Sequence, residues 1–206
     1  MSGDAGDTHD QLRVTVGPER GQFVGATHFA LQAAVDYVAS NGGGTVDVAA
    51  GEYILQNAVH LRSGVRIVGQ GDRTVLRKAP SVTTALTEDT DWYHEHIHLD
   101  DPTGFQVGSG VVLQARHAHG DGRSVMKFTV ASIDGGRARL VRTPHNQTRA
   151  NFWTTHDATA STLHPLLTAN WERDIAIENL TLDGNRAENA MLDGNYGGCV
   201  FLQDCQ

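Results

Sequence analysis

Three histidines stand at alternate positions in the stretch Tyr93-His94-Glu95-His96-Ile97-His98-Leu99-Asp100-Asp101. On an extended strand His94, His96 and His98 share one face, with neighbours about 6.5 to 7 Å apart. Imidazoles so placed can reach a common zinc ion, and His117 and His119 could add ligands if their segment lies alongside. The competing reading is a polar, solvent-facing edge whose histidines meet water or Asp100 and Asp101. It is preferred, because no Cys or Glu-x-x-His pattern accompanies them. A cluster of this kind also titrates near neutrality.

A second candidate is the repeated Leu-Asp-Gly-Asn at 182–185 and 192–195. Asp183, Asn185, Asp193 and Asn195 could offer oxygens to calcium or to a sugar. Their spacing is not that of an EF-hand loop, and no glutamate stands where the bidentate ligand belongs. Asp-Gly and Gly-Asn are turn signals, so a corner around a short protruding loop is the preferred account. Acid–base chemistry has candidates in Asp89/Asp91 and Asp100/Asp101, and in the basic residues Arg66, Arg73, Arg77 and Lys78. For these four cations a solvated outer-face position is expected. Trp153 and Trp171, with Trp92 and Tyr93, could stack on pyranose rings or pack the interior. No nucleophile elbow, Walker loop or dinucleotide fingerprint is present. Gly69-Gln70-Gly71 lacks the third glycine that would open a helix.

These residues need a scaffold, and composition limits its type. The 206 residues carry a net charge of −8, which opposes binding to nucleic acid or to an anionic membrane. The 23 glycines exceed the usual ~7%, while prolines number only 5. Many tight turns between short strands are therefore expected. Cys199 and Cys205 do not make a disulfide framework, and reduced thiols are expected. No window has the apolar length of a membrane span. The polar, acidic start has no signal-peptide core, which leaves a cytoplasmic chain or one whose leader lies outside this sequence.

Residues 1–25 read as a polar arm with one strand, Leu-Arg-Val-Thr-Val. Leu31, Ala34, Val35 and Val38 follow i, i+3, i+4, i+7 and mark one helix face, with Thr27 as N-cap and Asn41 to Gly44 as the stop. The period then becomes two at Val46/Val48, Val59/Leu61 and Val65/Ile67, with turns at Gly51, Gly64 and Gly69 to Gly71, after which come Val75 and Leu76. Ile175/Ile177 and Leu180/Leu182 resume this pattern about a hundred residues later, with Asn179 as a corner. Glycine-cornered short strands without intervening helices suggest a parallel β-helix. The interruption suggests an inserted module at 80–168, containing a hairpin around Asp134-Gly135-Gly136.

The run from Ala30 to Lys78 is similar to the opening of right-handed parallel β-helix proteins of the pectate-lyase-like superfamily. The matching motifs are Gly42 to Val48, Gly51 to Tyr53, and Ser63 to Gly71. Glu178 to Asn189 and Gly197 to Cys205 resemble later coils. The resemblance covers 25–80 and 170–206 well. It implies an all-β, right-handed parallel β-helix with an N-terminal capping helix and an inserted antiparallel β module. The parts are an arm (1–25), helix and first coils (26–79), module (80–168) and resumed coils (169–206). It further implies a truncated solenoid, with self-association through the exposed C-terminal coil, and an extracellular or periplasmic setting. The implied activity is a polysaccharide lyase or glycoside hydrolase on an acidic or complex polysaccharide, with a non-catalytic binding or structural module as the alternative. The Asn-Thr-Asp and Arg-Ile-Lys signatures of polygalacturonases are absent. Trp153, Trp171, Asp183 and Asn185 are the candidate sugar contacts, and calcium or zinc are the conceivable cations.

Overall fold

A computed structural model describes residues 12–90, 94–117, 119, 121–141, 151–189 and 198–206. In chain order the elements are β1 (Leu12–Gly17), β2 (Phe23–Val24), α1 (His28–Ser40), β3 (Gly44–Val48), β4 (Gly51–Leu55), β5 (Val59–His60) and β6 (Val65–Lys78). They continue with β7 (Thr83–Ala85), β8 (His96–His98), β9 (Gly110–Arg116), β10 (Arg123–Asp134), β11 (Arg137–Val141) and β12 (Thr159–Thr162). The last are β13 (Leu167–Asn170), β14 (Ala176–Asp183) and β15 (Val200–Gln203). The fold is thus mostly β with one α-helix among the described residues, and no described helix is long and apolar enough to cross a membrane. The chain divides into two compact units: 1–78 with 166–183 and 199–206, and 79–165 with 184–198.

The first unit is built from parallel pairing. One sheet runs β14-β6-β3-β1-β2, β4 also pairs with β6, and a second sheet runs β15-β13-β5. Side chains of a strand alternate between its two faces, so parallel pairing in register stacks like on like. The inward positions form three rows: Val14–Val46–Ile67–Ile177, Tyr53–Leu76–Leu182 and Val59–Leu167–Val200. Val14, Val46, Tyr53, Ile67, Leu76, Val59 and Leu167 are all buried. Tyr53 keeps its hydroxyl bonded to the Ala49 carbonyl at 3.0 Å, and burial pushes its ionisation up to about 12.

Helix α1 covers this core with Leu31, Ala34, Val35 and Val38, the face that the spacing predicts. Thr27 occupies the N-cap position, but its hydroxyl makes no capping bond. At the other end the Gly43 amide donates to the Val38 carbonyl (3.0 Å), and the Asn41 side chain donates to the Tyr37 carbonyl (2.7 Å). Gly43 has φ +99°, and a Cβ there would stand 2.7 Å from the Gly64 carbonyl oxygen, so the helix stop requires glycine.

Two expectations need correction. The corner at Gly69 to Gly71 does not end a strand: β6 is continuous through it, pairing first with β3 and then with β4. Asn179 makes the matching corner in β14 with φ +56°, and its amide donates to the Gly69 carbonyl at 3.2 Å. Lys78 is not on the outer face. Inward and outward positions alternate from Leu76, so Lys78 falls inward opposite Leu55, is 1% exposed, and burial lowers its pKa to about 8.

The second unit is antiparallel, in the order β7-β12-β9-β10-β11-β8. The Thr87 amide donates to the His98 carbonyl (2.9 Å) and the Asp100 amide to the Ala85 carbonyl (3.0 Å), so the first strand of that order meets the last. The sheet therefore closes into a small barrel around Leu86, Ile97, Leu99, Val111, Leu113, Val130, Ala138 and Leu140. The hairpin is tighter than expected. Asp134 pairs with Arg137, which leaves Gly135 and Gly136 as a two-residue turn. In this unit Asn189, wholly buried, donates to the carbonyls of Ala79 (3.2 Å) and Asn185 (2.9 Å) and accepts from the Ser81 hydroxyl (2.7 Å).

Candidate functional site

On the barrel unit a pocket of about 190 Å³ is lined by Glu88, Asp89, His94, His96, Ile97, His98 and Arg137. Its position follows from strand parity. In β8 the side chain of Ile97 is buried in the barrel, which turns His96 and His98 outward together. In β11 the same alternation buries Ala138 and turns Arg137 and Arg139 outward. Antiparallel register then sets Arg137 opposite His98 and Arg139 opposite His96. Two imidazoles and two guanidiniums thus share one face.

The charges are not balanced evenly. Arg139 pairs with Glu95 at 3.2 Å, whereas no carboxylate of a described residue pairs with Arg137. Glu88 lies 3.4 Å from the His98 Nδ1. Asp89 accepts from the Thr154 amide (2.7 Å) and hydroxyl (2.8 Å), and these bonds hold its carboxyl below the usual range. Desolvation, reinforced by Arg137 and Arg139, lowers the pKa of His96. The pocket therefore combines a guanidinium, three imidazoles and two carboxyl groups.

The sequence candidates separate as follows. His94, His96 and His98 do meet in one pocket, while His117 and His119 do not line it. Among the described residues no group of three or more His, Cys, Asp or Glu side chains is arranged to hold a metal ion. Asp183 ends β14 and pairs with Arg77 at 2.8 Å, and Arg77 also holds Glu52 at 2.9 Å. Asn185 has φ +45°, and its amide donates to Glu188 at 2.7 Å. Trp153 is half-buried in the barrel unit, 5.1 Å from the ring of His156. Trp171 belongs to the parallel unit and is 75% exposed, with φ +61°. Cys199 and Cys205 are unpaired thiols. Asp91, Trp92, Tyr93, Asp193 and Asn195 lie outside the described residues.

Sequence reasoning missed Glu88 and Arg137. A signal existed: Arg137-x-Arg139 has the same period of two as His96-x-His98, but their pairing joins strands forty residues apart.

The parallel unit has its own polar face. Outward positions of β1, β3, β6 and β14 carry the ion pairs Arg13–Asp47 and Arg66–Glu178, and the bond from Arg66 holds Glu178 below the usual carboxylate range. Outward positions of β4, β6 and β14 carry the Glu52–Arg77–Asp183 triad.

No curated protein sequence matches this chain. Among solved structures, the tailspike gp61 of Pseudomonas phage phi297 is similar at a TM-score of 0.35 and 11% identity, over 73% of this chain and 31% of that one. The Gp54 tailspike of Acinetobacter baumannii bacteriophage AP22, solved with an A. baumannii capsular saccharide, gives 0.36 and 15%, over 73% and 29%. The tailspike gp49 of Pseudomonas phage LKA1 gives 0.31 and 13%, over 74% and 28%. The chain thus spans less than a third of the length of each. The family model for rhamnogalacturonase A/epimerase, pectate lyase-like proteins matches residues 23–196, which take in parallel strands and barrel alike. With helix α1, the in-register parallel rows and that match in hand, the chain belongs to the rhamnogalacturonase A/epimerase, pectate lyase-like family.

Proposed function

We propose that the parallel strands are coils of a right-handed β-helix and that the protein acts on an acidic or complex polysaccharide, as a lyase or glycoside hydrolase. Family membership over residues 23–196 is the observation that carries this reading. The repeating rows of the parallel unit support it physically, since a stacked solenoid presents long flat faces on which an extended polymer can lie. A lyase would need a base for the proton beside a uronate carboxylate and a cation for the anion that forms. A hydrolase would need two carboxyl groups at a set separation.

A binding or structural module is the second reading, and one observation favours it. Asp47, Glu52, Glu178 and Asp183, all outward on the parallel strands, are each tied to an arginine. Glu178, held below the usual carboxylate range by Arg66, is a poor proton donor.

Incubation with a panel of polyuronates and neutral polysaccharides tests the two. The catalytic reading expects new absorbance from an unsaturated uronate, or new reducing ends, on at least one polymer. Retention of a polymer with neither product leaves the binding module. Neither retention nor product on any polymer removes both.

A further inference from the structure

We propose that the pocket on the barrel unit takes a single sugar-acid unit, with Arg137 on its carboxylate and Glu88, Asp89 and the imidazoles on its hydroxyls. The inference rests on the polysaccharide reading above and gives the barrel unit a recognition role of its own.

The donor set carries the argument. A guanidinium presents a planar fork of N–H groups that matches a carboxylate in two parallel bonds. Arg137 lines the pocket without an ion pair to a described residue, while Arg139, two positions along the same face, is spent on Glu95. A simple anion would satisfy Arg137 but would meet the carboxylates of Glu88 and Asp89 in the same pocket. A phosphate, with its higher charge, would be repelled more strongly than a monoanion. The carboxylates instead suit a ligand that also brings hydroxyl protons. Asp89 already accepts two bonds at Oδ1 from Thr154, which fixes the carboxyl and leaves Oδ2 for such a proton. A neutral imidazole offers one donor and one acceptor, and a hydroxyl answers either. Size agrees: about 190 Å³ lies below the roughly 300–1,000 Å³ of sites for drug-sized ligands, and fits one ring rather than an oligomer.

The test uses the whole chain, labelled with ¹⁵N and titrated with glucuronate and galacturonate. Glucose, galactose, acetate and inorganic phosphate serve as comparison ligands. One of the two sugar acids is expected to bind at least tenfold more tightly than its neutral parent, acetate or phosphate, with shifts in the side-chain signals of Arg137, His96 and His98. Arg137→Ala should weaken it at least tenfold, and Arg137→Lys should recover part of the loss. Arg139→Ala, on the same strand face, should change it less than threefold and reports on folding. Equal affinity for the neutral sugar, phosphate binding as tight as the sugar acid, or undiminished binding by Arg137→Ala would each overturn the proposal. Polymer retention by the same proteins separates the two readings. Retention without sugar-acid binding overturns only the pocket, and sugar-acid binding without retention or cleavage overturns only the polysaccharide reading.

Discussion

The two units use the same alternation of side chains and dispose of their edges in opposite ways. The barrel joins its first and last strands through the bonds of Thr87 and Asp100, so every strand is flanked on both sides. In the parallel unit β15 bonds to β13 on one side, and no described strand pairs with its other edge. The outer faces differ as well. The parallel strands neutralise theirs with arginine–carboxylate pairs, while in the barrel no described carboxylate pairs with Arg137 beside the histidines. Closure satisfies the barrel's strand edges within the unit, whereas the parallel strands also tie their outward side chains to one another.

The comparison can be broken at three points. The first is the interior row. Ile67 is buried between Val46 and Ile177, and Ile67→Ala should cost about 4 kcal/mol in denaturant unfolding, from lost burial and the cavity left behind. A cost below about 1 kcal/mol would show that the row does not hold the stack together.

The second is the exception in that interior. Lys78 titrates at about 8 when folded, against 10.5 ordinarily, so between those values the folded chain binds fewer protons than the unfolded one. Stability should therefore rise as pH climbs through this window, by up to about 3 kcal/mol, with the penalty fully in force below pH 8. Lys78→Met should remove that rise, and parallel pH curves for the two proteins would falsify the assignment.

The third and smallest is the outer face. Arg77 is half exposed, so Arg77→Ala should cost only about 0.5–1 kcal/mol despite its two carboxylate partners, and the loss should shrink with added salt. A larger, salt-insensitive loss would mean that the outer rows matter as much as the inner ones.

What could be read from sequence follows the range of each interaction. Helix α1 and the strands around Val46, Ile67 and Ile177 were legible because their periods of 3.6 and 2 are local. The corner at Asn179 was legible because asparagine tolerates the left-handed conformation it adopts there. The charge of Lys78 points to the surface, whereas its parity with Leu76 puts it inside. The barrel's closure and the meeting of His98 with Arg137 were not legible, since antiparallel register between distant strands leaves no local trace. The candidate site was therefore half visible, with its histidines seen and the partners facing them missed.

One connection has a practical use. The links from β4 to β5, from β6 to β13 and from β14 to β15 leave equivalent places in successive turns of the chain, and they comprise residues 56–58, 79–166 and 184–199. Equivalent strand ends are thus joined by links of very different length, as expected when the entropy of closing a loop grows only with the logarithm of its length. The three-residue link at Gln56-Asn57-Ala58 is accordingly the natural splice point for a guest sequence, such as an epitope, a fluorophore tag or a transplanted recognition loop.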